Sequence, residues 1–214
     1  MLEIFILEID KHLTTENYNE FMQMVSPEKR DRIIRFHNFD DSERTLLADV
    51  MIRKTISSRL GLRNDQIEFG VNEYNKPYLL TVPDFHYNIS HSDRFVACAI
   101  NDAPVGIDVE IFKPTDLKIA ERFFSKEETA YILSQPDAEQ LKAFYMTWTM
   151  KEAYIKYLGK GLSIPLNTFC VCDINIGVHF NCIFNYSDAA CHVCSGFGEK
   201  PSVTYMSVGK LMAD

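Results

Sequence analysis

Seven residues, Val105-Gly106-Ile107-Asp108-Val109-Glu110-Ile111, alternate without a break between apolar side chains and small or acidic ones. A period of two belongs to a β-strand, whose successive side chains face opposite ways. Val105, Ile107, Val109 and Ile111 therefore point into a core. Gly106, Asp108 and Glu110 share the other face, with the two carboxylates roughly 7 Å apart. A sheet built on this strand has one apolar and one anionic side, which restricts what can cover it. Downstream, Leu141, Tyr145, Trp148, Glu152 and Ile155 recur at steps of four and three, the stripe of a helix turned toward a core. Trp148 is expected in that core. Glu152 stands where the stripe calls for an apolar side chain, and an ionised carboxylate there is costly unless a cation or strong donors compensate it. Three such acids can share one divalent cation.

The 214-residue chain is 46% apolar and 24% charged, with 15 Phe and 10 Tyr. That composition builds a substantial core and excludes collagenous, coiled-coil and disordered classes. Near the start, Ile4-Phe5-Ile6-Leu7 is apolar, but Glu3, Glu8 and Asp10 flank it without a basic lead, so no secretory signal is expected. No apolar stretch reaches membrane-spanning length, and a cytoplasmic protein is expected. A net charge of −8 argues against a general nucleic-acid or anionic-membrane binder. Positive charge nevertheless gathers early, in Lys29, Arg30, Arg32, Arg35, Arg44, Arg53, Lys54, Arg59 and Arg63. Such a cluster is either a solvated helix surface or a local anion site. Cys170-x-Cys172 and Cys191-His192-Val193-Cys194 contain zinc-ligating residue types. Both lie in strand-like stretches without flanking turn glycines, and they are read as reduced structural cysteines.

Along the chain, Leu2 to Ile9 reads as a strand, Asn17 to Val25 as a helix, and Ser26-Pro27-Glu28 as the opening of another. Asp40 to Glu43 has a capping-box pattern, starting a helix that ends at Gly61. Residues 85–111 read as three strands joined by short turns, which predicts an antiparallel meander. Ser125 to Glu128 is a second capping box, and a long helix from about Ala138 stops at Gly159. Arg35-Phe36 followed by a capped helix is echoed by Arg122-Phe123-Phe124 followed by capped helices. The expected architecture is an α+β chain of two similar halves, 1–104 and 105–214, related by a pseudo-two-fold. Each half carries a small, mainly antiparallel sheet packed on helices, with a site in the cleft between them. A cleft complete within one chain points to a monomer.

Several motifs in register carry a resemblance. Val105-Gly-Ile-Asp-Val-Glu-Ile, Phe123-Phe-Ser-Lys-Glu-Glu and Trp148-Thr-Met-Lys-Glu-Ala-Tyr-Ile-Lys resemble the 4′-phosphopantetheinyl transferase superfamily. Ser26-Pro-Glu-Lys-Arg, Arg44-Thr-Leu-Leu-Ala-Asp, Asn72-Glu-Tyr-Asn-Lys-Pro, Asn88-Ile-Ser-His-Ser and Gly159-Lys-Gly-Leu-Ser-Ile-Pro-Leu are similar to its surfactin-synthetase-activating type. The resemblance implies an enzyme that moves the phosphopantetheine arm of coenzyme A to a serine of an acyl or peptidyl carrier protein. By the same resemblance Asp108, Glu110 and Glu152 match Mg²⁺ ligands, with Mn²⁺ as the alternative metal. Lys29, Arg32, Arg44 and Thr45 match positions near the adenosine and its 3′-phosphate. Lys76, Ser90 and His91 match further coenzyme A contacts, and Lys156 matches a lysine on the pyrophosphate. Glu128 matches a glutamate proposed as base for the carrier serine, although it also completes a capping box; Glu152 is the other candidate base. Asn75 and Asp93 replace glycines common in the family, and both residue types tolerate positive φ. A coenzyme A-binding regulatory module without transferase activity is the alternative reading.

Overall fold

The computed structural model describes residues 1–173 and 175–213. It is an α+β structure in which two sheets pack face to face. The first part runs β1 (Glu3–Glu8), α1 (Thr15–Met24), α2 (Pro27–Ile34) and α3 (Phe39–Leu60). After it come a small ribbon, β2 (Phe69–Val71) and β3 (Pro77–Leu79), and a hairpin, β4 (His86–Ser92) and β5 (Phe95–Asn101). The second part runs β6 (Val105–Ile111), α4 (Lys118–Phe123), α5 (Lys126–Ser134), α6 (Asp137–Leu158), β7 (His179–Asn185), β8 (Ala189–Ser195), β9 (Ser202–Ser207) and α7 (Val208–Ala213). Among the described residues no helix is long and apolar enough to cross a membrane.

Local chemistry sets most helix ends. Ser26 caps α2 with Pro27 in the first turn, and Ser125 and Glu128 form the expected capping box of α5. The α3 start differs from expectation. Asn38 caps the helix by accepting the Asp40 N–H, two residues before the predicted box. Glu43 is instead buried, accepting the Leu13 N–H at 2.5 Å and meeting His12 at 2.7 Å. The internal echo appears as α3 and α6, each 22 residues long and each closed by a left-handed glycine, Gly61 and Gly159. Asn75 and Asp93 adopt φ of 64° and 48°, as residues replacing turn glycines must.

The meander expected over residues 85–111 ends after β5. The first sheet has the order β4-β5-β1-β9, and β6 joins a second sheet of order β6-β8-β7, with Asp108 opposite His192. The apolar face of β6 explains the change. Val105, Ile107 and Val109 pack with Cys191 and Val193 against Ile4, Ile6, Phe95, Ala97 and Ala99 of the first sheet. Burial between layers gives these side chains a dry contact on the side opposite the acids. The acidic face of β6 lies under α6. A Cβ on Gly106 would sit 2.0 Å from the Ala153 carbonyl oxygen and 2.3 Å from the Tyr157 nitrogen, so glycine alone allows this approach. Helix α3 covers the other side of the first sheet, with Leu46, Val50 and Met51 in the core, while α4 and α5 pack on α6 through Phe124, Ile132 and Phe144.

The halves 1–104 and 105–214 are interlocked. Strand β9 runs parallel to β1 in the first sheet, with Glu3 opposite Ser202. Val208 and Leu211 of α7 enter the first core, and the Lys54 ammonium donates to the Leu211 carbonyl at 2.7 Å. Cys191 and Cys194 are buried in β8, whereas Cys170 and Cys172 lie in a turn closed by Asp173 N–H to Cys170 O at 3.2 Å rather than in a strand. The Phe169 carbonyl and the Val171 N–H bond to side chains of α6 and α5, which leaves no ladder for a strand.

Candidate active site

Asp108 is 3% exposed, and burial raises its pKa above the usual carboxylate range. Its Oδ1 accepts from the Lys156 ammonium at 2.6 Å and from the Ser90 hydroxyl at 2.8 Å. Its Oδ2 is, among the described residues, the one buried side-chain oxygen or nitrogen with no hydrogen-bond partner. Glu110, on the same face of β6, accepts from the Ser92 hydroxyl at 2.7 Å. Glu152 projects from α6. Burial, then the charge of Asp108, raises the pKa of both glutamates. All three acids line one hollow of about 350 Å³ together with Ser90, His91, Trp148 and Lys156. Glu152 thus faces the Asp108 strand, with room between them. Trp148 packs on the core as expected, stacking on Phe144 and tilted against Phe124, and its outer side lines the hollow. Helix α6 packs on other sides as well: Thr149 reaches His192 of the second sheet, Lys151 reaches α5, and Ala153 meets Gly106.

Among the described residues no three His, Cys, Asp or Glu side chains close into a ready-made metal site. The Lys156 ammonium rests on Asp108 Oδ1. The residues nonetheless fit a hard divalent cation. An orphaned buried carboxylate oxygen beside two more carboxylates is an all-oxygen donor set, the kind that Mg²⁺ takes along with water and phosphate.

Two further hollows continue the site. One of about 300 Å³ shares Ile89, Glu152 and Lys156 with the acid hollow and adds Tyr74, Asn75, Pro77 and Leu162. The next, about 380 Å³, shares Asn75, Pro77 and Ile89 with it and is lined by Lys29, Arg32 and Ser26. A trough therefore leads from Lys29, Arg32 and Arg53, which stand among Glu28 and Asp49 with the Lys29 ammonium 3.5 Å from Asp49, to the three acids and Lys156. His91 is exposed at its rim but hemmed in by protein on the inner side. That crowding, then the positive charges of Arg44 and Lys156, lowers its pKa below 6.5 and favours the neutral ring.

The other predicted residues lie less directly on the trough. Arg44 pairs with Asp41 and donates to the Asp93 carbonyl, and Thr45 is buried along α3. Lys76 lines the middle hollow, yet its ammonium donates to the carbonyls of Lys156 at 2.5 Å, Val105 at 3.1 Å and Tyr157 at 3.4 Å, clasping the end of α6. Burial lowers its pKa to about 8. Glu128 is away from the acid hollow and fully buried. It binds the Lys151 ammonium through both oxygens, at 2.8 and 2.5 Å, and accepts the N–H groups of Ser125 and Val171. Much of the early basic cluster is also spent on structure, with Arg53 on Asp49, Arg30 on the Met22 carbonyl and Arg59 on Glu3.

Comparison with known proteins decides the family. Residues 104–198 match the model of the 4′-phosphopantetheinyl transferase superfamily, and residues 12–102 match that of the 4′-phosphopantetheinyl transferase N-terminal region. The chain is 46% identical over 170 residues to 4′-phosphopantetheinyl transferase Sfp of Bacillus subtilis, covering 79% of this chain and 76% of that one. It is 40% identical over 171 residues to the 4′-phosphopantetheinyl transferase gsp of Aneurinibacillus migulanus, covering 80% and 71%. It belongs to the 4′-phosphopantetheinyl transferase superfamily. A mouse L-aminoadipate-semialdehyde dehydrogenase-phosphopantetheinyl transferase is 32% identical over 173 residues, or 73% of this chain and 56% of the mouse protein. The transferase is thus of the type represented by its bacillar relatives. Its two family matches meet in the turn between β5 and β6, where the chain passes from the first sheet to the second.

Sequence reasoning missed two residues of this seam in the transferase. Asn88 accepts the Ile107 N–H at 2.8 Å, and Ser92 accepts the Ile111 N–H at 3.1 Å while donating to Glu110. The available signal is that Asn88, Ser90 and Ser92 put polar side chains on every second position of a strand bordering a core.

Proposed function

We propose that this transferase moves the 4′-phosphopantetheine arm of coenzyme A onto a serine hydroxyl of an apo-carrier protein, releasing adenosine 3′,5′-bisphosphate. The observation that carries this reading is the acid hollow, with its orphaned Asp108 oxygen, opening into a trough that ends at Lys29 and Arg32. A nucleotide diphosphate carrying a further phosphate has the matching charge distribution. In this reading Lys29 and Arg32, with Arg44, Thr45 and His91 nearby, hold the adenosine end, and arginine supplies a rigid fork for the 3′-phosphate. Lys76, with Ser90, holds the strand and helix that carry the acids.

Asp108, Glu110 and Glu152 would hold Mg²⁺, or Mn²⁺ in its place. Bound there, the cation would neutralise the pyrophosphate and stabilise the oxygen that leaves. Lys156 places an ammonium against the same phosphates. Glu152, projecting from α6 into the same hollow, accepts the serine proton directly or through a water. The serine oxygen forms a bond to the phosphorus on the pantetheine side as the P–O bond to the adenosine bisphosphate breaks. Positioning and charge neutralisation carry most of the acceleration.

The enzyme acts in this reading as a monomer, because β4, β6 and α6 of a single chain already bring the acids, Ser90 and Lys156 together. A cytoplasmic enzyme acting on carrier proteins of peptide, polyketide or fatty-acid synthesis is consistent with the proposed reaction. Incubation of a panel of apo-carriers with enzyme, coenzyme A and Mg²⁺, read by intact mass, tests the proposal. At least one carrier should gain the mass of a phosphopantetheine group. Binding of coenzyme A without any gain on any carrier would mark a binding module instead.

A further inference from the structure

Among the described residues the free edge of β6 meets no neighbouring ladder on the β4 side, and alternate residues of β4 satisfy it instead. The Asn88 side-chain carbonyl oxygen accepts the Ile107 N–H, Ser90 Oγ donates to Asp108 Oδ1, and Ser92 Oγ bonds both Ile111 and Glu110. Ser90 accepts from the Lys156 ammonium at 2.9 Å as it donates, whereas Ser92 accepts from backbone. A serine hydroxyl has a single proton, and accepting the Ile111 N–H at 3.1 Å fixes the hydroxyl in place, so that its proton is directed to Glu110 Oε2 at 2.7 Å. The acceptor half of this arrangement engages backbone on the same strand as Glu110, which keeps donor and carboxylate in register.

Glu110 needs such a device more than its neighbours. Asp108 is short, buried and held by Lys156 and Ser90. Glu110 has three rotatable bonds and is only partly buried. Its Oε1 has no hydrogen-bond partner among the described residues, and the charged groups facing it are Asp108, Glu152, Lys156 and Lys113. A free glutamate beside Asp108 would swing toward solvent or toward Lys113. We infer that Ser92 is a positioning residue that fixes Glu110 with one oxygen bonded and the other presented to the acid hollow. Ser92 itself does not line that hollow. The inference rests on the metal role proposed for the three acids and assigns Ser92 the orientation of one of them.

The test uses Ser92→Thr and Ser92→Val, which have the same shape and differ by the hydroxyl, alongside wild type and Asp108→Asn. Mg²⁺ alone is titrated by calorimetry, and thermal melts establish that each variant is folded. Loss of a hydrogen-bond partner behind a metal ligand typically weakens binding by about 10-fold to 100-fold. Ser92→Val is expected to show such a loss at an unchanged stoichiometry, and Ser92→Thr to bind close to wild type. In carrier modification, raised Mg²⁺ should restore Ser92→Val but not Asp108→Asn. Should the Ser92→Val protein not fold, Ser92→Ala replaces it against the same threonine control. If Asp108→Asn loses Mg²⁺ while Ser92→Val retains full affinity, the role of Ser92 is overturned and the metal assignment stands. If both variants bind Mg²⁺ as wild type does, both are overturned.

Discussion

Replacing Glu128 by Gln separates a structural carboxylate from a catalytic one. Its two oxygens receive four donor contacts: two from the Lys151 ammonium, one from the Ser125 N–H at 2.9 Å and one from the Val171 N–H at 2.8 Å. Both side chains of the pair are 0% exposed. Glutamine keeps one acceptor oxygen but turns an NH₂ toward an ammonium and at least one backbone N–H. The ammonium is then buried without its counter-charge. Removing one member of a buried pair typically costs about 3–5 kcal/mol. For a chain of this length each kcal/mol shifts the melting temperature by roughly 2–4 °C, so a fall on the order of 10 °C is expected. Burial already pulls the Lys151 pKa below its ordinary 10.5, against the opposing influence of Glu128, so losing the carboxylate pushes it further down. The double change Glu128→Gln with Lys151→Met leaves no charge behind and should recover much of the loss. Melts followed by circular dichroism, and carrier modification measured well below the transition, give the two readouts. A base that takes the serine proton would produce the reverse pattern, an unaltered melt with turnover reduced by about 100-fold or more. That result would refute the structural assignment of Glu128.

Asp108→Asn should abolish transfer while leaving coenzyme A binding at the Lys29 and Arg32 end measurable; near-native turnover would remove the metal from the mechanism. Burial raises the pKa values of Asp108, Glu110 and Glu152, so without metal the folded protein holds more protons than the unfolded chain. The stability tied to these groups is therefore present below the unfolded carboxylate pKa values and lost as pH rises through the folded ones. Mg²⁺ should offset that loss and release protons on binding in mildly acidic buffer; calorimetric heats independent of buffer ionisation enthalpy would count against this. Gly106→Ala forces a methyl group against the backbone of Ala153 and Tyr157 and should cost at least about 3 kcal/mol, seen as loss of soluble protein.

The strand carrying the acids was legible because its period of two extends through all seven residues, and the structure places both faces as that pattern requires. Glu152 was legible for a different reason, as a charge out of place on a helix. What it faces was not: the stripe through Trp148 borders the cleft, because α6 is packed on several sides and no single stripe marks its core face. The pairing of β6 was hidden as well. A short turn between two apolar strands reads as a hairpin, and nothing local states that Asn88, Ser90 and Ser92 will satisfy the strand edge from the neighbouring layer. Capping chemistry predicted α5 correctly and misplaced the start of α3, where Asn38 competes with Asp40 for the same free amides. The basic cluster was ambiguous on composition because tertiary partners decide the outcome. Arg53, Arg30, Arg59 and Lys29 found them internally, and Lys29, Arg32 and Arg53 line the trough.

The return of β9 to lie beside β1 joins two strands that are far apart along the chain. During synthesis the first sheet lacks its outer strand, and β1 presents an unpaired edge, until β9 has been made. Closure across that sequence distance makes the first lobe slow to finish and open to mispairing in the interval. Severing the polypeptide at the turn after β5 should accordingly yield two fragments, neither of which folds unless the other is present.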